Sequence, residues 1–181
     1  MKKSTKKVLK TTGIIGTSAL ATYYMIGNFF YYVTLTKKGI ENPFIAKIAS
    51  GTKKNDEEKI RLNKLMEVGK DWFNNADKEK IAIKSSNFHK NLHADYIFAE
   101  NKSNICVIVI HGYTSNPCSM GVYAQKYHEL GYNVLMPSLN GHADSESSVI
   151  TMGWHDRLDV IDWINYLVEE NPEIKIILHG V

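Results

Sequence analysis

The sequence predicts an α/β domain built on a largely parallel sheet, preceded by a helical N-terminal segment. Three observations carry this. An unbroken apolar run, Ile105-Cys106-Val107-Ile108-Val109-Ile110, has the composition of a central strand buried on both faces. After it, strand-like and helix-like stretches alternate to Val181, the pattern of a parallel sheet with helices on both faces. Near the N-terminus, 26 residues from 11 to 36 carry no charge.

At 181 residues, 44% hydrophobic and 23% charged, the chain has the length and composition of one globular domain with a real core. The net charge is +3, but Lys2, Lys3, Lys6, Lys7 and Lys10 exceed that alone, so the rest is slightly acidic. No basic face for nucleic acid is expected there. The two cysteines, Cys106 and Cys118, have neither CxxC nor metal-type spacing.

Residues 1–12 read as a basic cytoplasmic tail, and residues 13–35 as a transmembrane signal anchor, since about 20 residues of helix cross a bilayer. Tyr23, Tyr24, Tyr31 and Tyr32 suit the headgroup zone. Five lysines before the run against Lys37 and Lys38 just after it predict the N-terminus inside. The expectation is a single-pass protein of the cell membrane with its C-terminal domain outside. A cleaved signal peptide (Ala19-Leu20-Ala21 has the small-x-small form) and a peripheral amphipathic helix are the competing readings.

Residues 36–78 read as a juxtamembrane linker followed by a helix over 55–74. Asn55 and Glu58 have capping-box spacing, and Leu62, Leu65, Met66, Gly69, Trp72 and Phe73 form a packing face. The domain proper spans 79–181. Alternation over 79–100 predicts an antiparallel hairpin; His89 and His93 fall in it without converging as a metal pair. Asn116-Pro117 opens a helix closed by Gly131. A strand over 132–137 follows, then a helix over 153–170 ended by Asn171-Pro172, then a strand from Lys175 into Val181.

The chemistry belongs at the carboxyl ends of these strands, where open α/β sheets bind ligands. His111-Gly112-Tyr113 follows the central strand; its glycine permits a sharp turn, and the Tyr113 amide is placed to serve as an oxyanion donor. The last strand ends Leu178-His179-Gly180-Val181, which a following Ser-x-Gly would complete as a nucleophile elbow. With the Asn140-Gly141-His142-Ala143-Asp144-Ser145 loop and the Gly153-Trp154-His155-Asp156-Arg157 helix start, these features resemble the α/β-hydrolase superfamily. In particular, they are similar to serine hydrolases of the monoacylglycerol-lipase and serine-aminopeptidase type, among them bacterial members with an N-terminal membrane segment. Ala143 replaces the second glycine of the family's usual G-H-G-x-S.

The resemblance implies the N-terminal half of an α/β-hydrolase fold and a Ser–Asp–His triad in that order. No triad member falls within residues 1–181; the nucleophile is expected immediately after Val181, and the chain as given is expected to be inactive. Only Tyr113 carries over, as half of the oxyanion hole. His111, Gly112, Gly141, His142, His179 and Gly180 are loop and motif residues, the histidines read as packing and bracing groups. Asp156, Asp159 and Asp162 read as the solvated side of a helix. Neither metal nor cofactor is implied. The expected partners are the membrane and, for the full-length protein, a small acyl ester or peptide. Two alternatives stand beside this: a non-catalytic, membrane-tethered interaction module on a partial hydrolase fold, and another doubly wound enzyme. The second lacks a phosphate loop.

Overall fold

The computed structural model describes residues 3–45, 57–88 and 90–181, with side chains from residue 16 onward apart from Lys59. His89, Asn55 and most of the predicted linker lie outside the described residues. The elements are α1 (Lys3–Leu35), α2 (Lys37–Ile40), α3 (Glu57–Asn75), β1 (Glu79–Lys84), β2 (Asn91–Ile97), β3 (Ile105–Ile110), α4 (Gly121–Glu129), β4 (Asn133–Pro137), α5 (Asp156–Glu170) and β5 (Lys175–Gly180). A 3₁₀ turn, Pro117–Met120, leads into α4. It is capped by Asn116, whose side chain accepts from the Ser119 amide while Ser119 reaches back to the Asn116 amide.

The five strands form one sheet in the order β1-β2-β4-β3-β5. β1 pairs antiparallel with β2, and β2 antiparallel with β4. β3 runs parallel to both β4 and β5. β3 is therefore paired on both sides, and Cys106, Val107, Ile108 and Val109 are wholly buried. Val107, Val109, Val134 and Met136 face α3 and α4, packing on Phe73, Met120 and Ala124. Cys106, Ile108 and Leu135 face α5, packing on Trp163 and Leu167. Burial pushes the Cys106 thiol up to about 12, so it acts as a small core residue, not a nucleophile.

Three expectations need correction. First, residues 13–35 are helical, as part of α1, but no helix among the described residues is long and apolar enough to cross a membrane. Thr17, Ser18, Thr22, Asn28 and Thr34 interrupt the apolar stretch, and its tyrosines are less apolar than leucine or isoleucine. Second, the chain just after α1 is not a free linker. The Lys37 amide donates to the Ser148 carbonyl (3.0 Å) and the Ile150 amide to the Leu35 carbonyl (2.9 Å), an isolated antiparallel bridge at Thr36 and Val149. Third, only the C-terminal half of α3 packs: Phe73 and Gly69 are buried, whereas Leu62 and Leu65 are 55% and 50% exposed.

α3 and α4 cross at two glycines. A methyl group at Gly121 would collide with the Gly69 carbonyl, and one at Gly69 with the backbone of Val122. Gly121→Ala is expected to destabilise the fold by about 1–3 kcal/mol through overpacking. Leu130→Ala, at an exposed position, should change stability by less than about 0.5 kcal/mol. Urea denaturation of the two variants against the parent checks both.

Candidate active site at the carboxyl edge of the sheet

Because β3 and β4 are parallel, the loops that follow them rise from the same edge of the sheet. Two imidazoles lock these loops together. His111, in the loop after β3, accepts at Nε2 from the Leu139 amide (3.2 Å) in the loop after β4. His142, in the loop after β4, accepts at Nε2 from the Thr114 amide (3.2 Å) in the loop after β3. The other nitrogen of each ring meets a carbonyl: His111 Nδ1 that of Gly112 (3.0 Å), His142 Nδ1 that of Asn140 (2.9 Å). Backbone amides only donate and carbonyls only accept, so both rings are neutral with the proton on Nδ1. The rings meet edge to face at 5.1 Å. Burial holds His111 below the usual imidazole range, and neighbouring His142 adds to this; the Gly112 carbonyl opposes it.

The backbone between these anchors is tightly bent. Thr114 has φ 58° and Ala143 φ 41°, in the left-handed region that β-branched residues and alanine rarely adopt. Gly141, at φ 73°, takes the same region at little cost. Gly112 serves a different need: a β-carbon there would stand 2.8 Å from the Val181 carbonyl oxygen, so only hydrogen fits between this loop and the chain leaving β5. Tyr113 directs its hydroxyl away from the sheet, donating to the Thr34 carbonyl (2.7 Å). Its amide donates to no acceptor among the described residues. His179 and Gly180 belong to β5, beside Val109 and Ile110. His179 Nδ1 lies 2.9 Å from the Tyr127 hydroxyl, and its ring packs on Tyr123, so it faces α4.

The loops wall a cleft of about 400 Å³, with Lys80, Asp95, Thr114, Ser115, His142 and Asp144 among its lining. Lys80 and Asp144 form an ion pair there; both are well exposed, so it adds little stability. Burial raises the Asp95 carboxyl above its usual range, against the attraction of Lys80 and Lys78. Among the described residues, no cluster of His, Cys, Asp or Glu is arranged to hold a metal ion.

Asp156, Asp159 and Asp162 are buried, not solvated as the sequence suggested. Asn140 gives Asp156 Oδ1 both its backbone amide (2.9 Å) and its side-chain amide (3.0 Å), and the side-chain amide also reaches Asp159. Thr151 and the Gly153 amide supply Asp156 Oδ2. Ser85 donates to Asp159, and the Ser86 hydroxyl and amide donate to Asp162. These carboxylates pin the loop after β4 and the β1–β2 turn onto α5. For Asp156, burial raises the pKa, but hydrogen bonds from Thr151, Asn140 and Gly153 outweigh it and leave the group below its ordinary value. For Asp159, burial wins over its donors and the pKa is raised. A three-residue spacing puts these aspartates on one helix face, and it was visible in the sequence. The donors that face them come from distant loops, which sequence spacing does not reveal.

Asn140→Ala removes donors from two buried carboxylates and is expected to cost about 3 kcal/mol or more in denaturant unfolding. Because its folded pKa is depressed, Asp156 contributes stability above its unfolded pKa of 3.8, and this is lost as pH falls through the lower folded value. Asp156→Asn should therefore flatten the acid limb of a stability–pH curve. Ala143→Gly should relieve the left-handed backbone and raise stability by about 0.5–1 kcal/mol, after the entropy glycine adds to the unfolded chain.

No known family model matches the chain. Over 63 residues it is 35% identical to a thermostable monoacylglycerol lipase of Bacillus sp. (strain H-257), an overlap covering 35% of this chain and 25% of the lipase. The structure is similar to the Pyrococcus furiosus esterase Pf2001 in its P21 crystals, with TM-score 0.53 and 26% identity, covering 58% of this chain and 42% of the esterase. For the P212121 crystals the TM-score is 0.53 and the identity 27%, over 58% of this chain and 41% of the esterase. The chain thus spans a quarter of the lipase and about two-fifths of the esterase. Together with the parallel β4-β3-β5 strands, the leading antiparallel hairpin and helices on both faces, these likenesses support part of an α/β-hydrolase fold.

Proposed function

We infer that this chain is the N-terminal portion of a serine hydrolase that cleaves carboxylic esters through an acyl-enzyme, with the nucleophile at the bend just after Val181. The observation that carries the reading is the meeting of two features. The chain leaving β5 passes against Gly112, and the next residue, Tyr113, holds an amide with no acceptor among the described residues. A serine at that bend would stand beside a ready donor. Its hydroxyl would attack the ester carbonyl, the Tyr113 amide would stabilise the developing oxyanion, and the alcohol would leave with a proton from the triad histidine. The histidine and its acid would come from beyond Val181.

The outer edge of β5 supports the same continuation. It has no strand partner among the described residues, and Ile177 and Leu178 beside it are 39% and 54% exposed. Unpaired apolar edges are aggregation hazards that native sheets cover. Further strands and a helix would cover this one.

The test is to read the gene past the Val181 codon and to express the continued product. A Ser-x-Gly next to Val181 and labelling of that serine by a fluorophosphonate probe are expected. Tyr113→Pro, which deletes the amide hydrogen, should lower kcat for a short-chain ester by about 10²–10³-fold. A continuation without serine at the bend, or a folded product that the probe does not label, rejects the assignment.

A further inference from the structure

α1 reaches the domain only at its C-terminal end, and residues 16–32 are exposed at every position. The exposed side chains are not distributed at random. Ile26, Phe29 and Phe30 recur at three- and four-residue spacing and form one exposed stripe, which the half-buried Val33 continues toward the domain. Thr17, Tyr24, Asn28 and Tyr31 recur at helical spacing on the opposite side. The sequence before these residues carries Lys2, Lys3, Lys6, Lys7 and Lys10. The helix therefore combines an aromatic and aliphatic stripe with a stripe of hydroxyls and an amide that leads into a lysine cluster. It is also too polar to cross a membrane. An exposed aliphatic and aromatic stripe following a lysine-rich stretch of sequence suits a helix lying in a bilayer's headgroup plane.

We propose that α1 binds the surface of an anionic lipid bilayer, lying parallel to it with the Ile26–Phe29–Phe30 stripe inward and the lysine-rich first ten residues drawn to the headgroups. Charge complementarity selects this occupant. Five lysines stand in the first ten residues, a density of positive charge that anionic headgroups complement. The polar groups suit the orientation. Asn28 donates to the Tyr24 carbonyl (2.8 Å) and Thr34 to the Phe30 carbonyl (2.6 Å), so these side chains are satisfied within the helix. The contact reaches the cleft, since α1 ends where the Leu35 and Thr34 carbonyls accept from the Ile150 amide and the Tyr113 hydroxyl. A helix held at the bilayer thereby holds the carboxyl edge of the sheet near it.

Co-sedimentation of the full chain with protein-free vesicles tests this. Vesicles of phosphatidylglycerol mixed with phosphatidylcholine should bind at least about tenfold more tightly than phosphatidylcholine alone, and high salt should remove most of the difference. Lys6→Gln with Lys10→Gln should abolish the preference for the anionic vesicles. Ile26→Ser with Phe30→Ser should weaken binding by about tenfold or more, and Asn28→Ser should leave it unchanged; circular dichroism melts confirm that each variant folds. Alkaline carbonate should release the bound chain. Equal binding to both vesicle types, no binding to either, or resistance to alkaline extraction overturns the proposal, the last by showing a helix that spans.

Discussion

The candidate site depends on the exchange of two imidazoles between neighbouring loops. His111 leaves the loop after β3 to accept an amide in the loop after β4, and His142 returns the favour. Each bond requires a bare Nε2, so each ring must stay neutral. For His111 the structure provides for this directly, because burial penalises the charged form. A protonated ring would leave the half-buried Leu139 amide without a partner and place a second donor against it. The brace thus converts two flexible strand-to-helix connections into one rigid rim. It leaves the Tyr113 amide between the anchors without an acceptor among the described residues.

Strain and satisfaction are balanced around that rim. Thr114 sits at φ 58° and presents its amide to His142; Ala143 sits at φ 41° directly after His142. Both conformations cost energy for residues with a β-carbon, and they persist because neighbouring hydrogen bonds over-determine them. The aspartates of α5 serve the same end from below. Asn140, whose carbonyl accepts from His142, is itself held through its amides by Asp156 and Asp159. The imidazole brace therefore rests on a second, carboxylate brace that reaches α5 and the β1–β2 turn. Removing either one loosens the other.

The parts of this arrangement legible in the sequence were those set by local chemistry. β3 was legible because burial on both faces demands an uninterrupted apolar run, and Ile105 to Ile110 is one. The 3₁₀ entry to α4 was marked by Asn116-Pro117, the turn before β4 by Gly131, and the sharp loop after β3 by Gly112. Features set by partners distant in sequence were not legible. Asp156, Asp159 and Asp162 look like an ordinary solvated stripe until Asn140, Ser85 and Ser86 are brought against them. The exposed first half of α3 has the same apolar spacing as its packed second half, and only the crossing at Gly69 and Gly121 decides which half finds a partner. Residues 13–35 carry a helical signal and an apolar signal together, with threonines, Asn28 and tyrosines among them, and no helix among the described residues is long and apolar enough to cross a membrane.

The docking of the chain after α1 explains why an N-terminal helix matters to a site built from strands β3 to β5. The bridge between Thr36 and Val149 extends the loop after β4 by two backbone hydrogen bonds, one from Lys37 to Ser148 and one from Ile150 to Leu35. Lys37 also donates its ammonium to the carbonyls of Ala143 and Ser145, within the strained part of that loop. Those carbonyls lie outside any strand, so a charged donor is a strong way to satisfy them. The segment that leaves α1 therefore acts as a clasp on the rim. It closes the open side of the loop that His142 and Asn140 hold from within, and it ties Tyr113 to the same helix through its hydroxyl. Position along the chain and position in the site are thus uncoupled: residues 34–37 support the rim of the cleft as directly as residues 138–150 do.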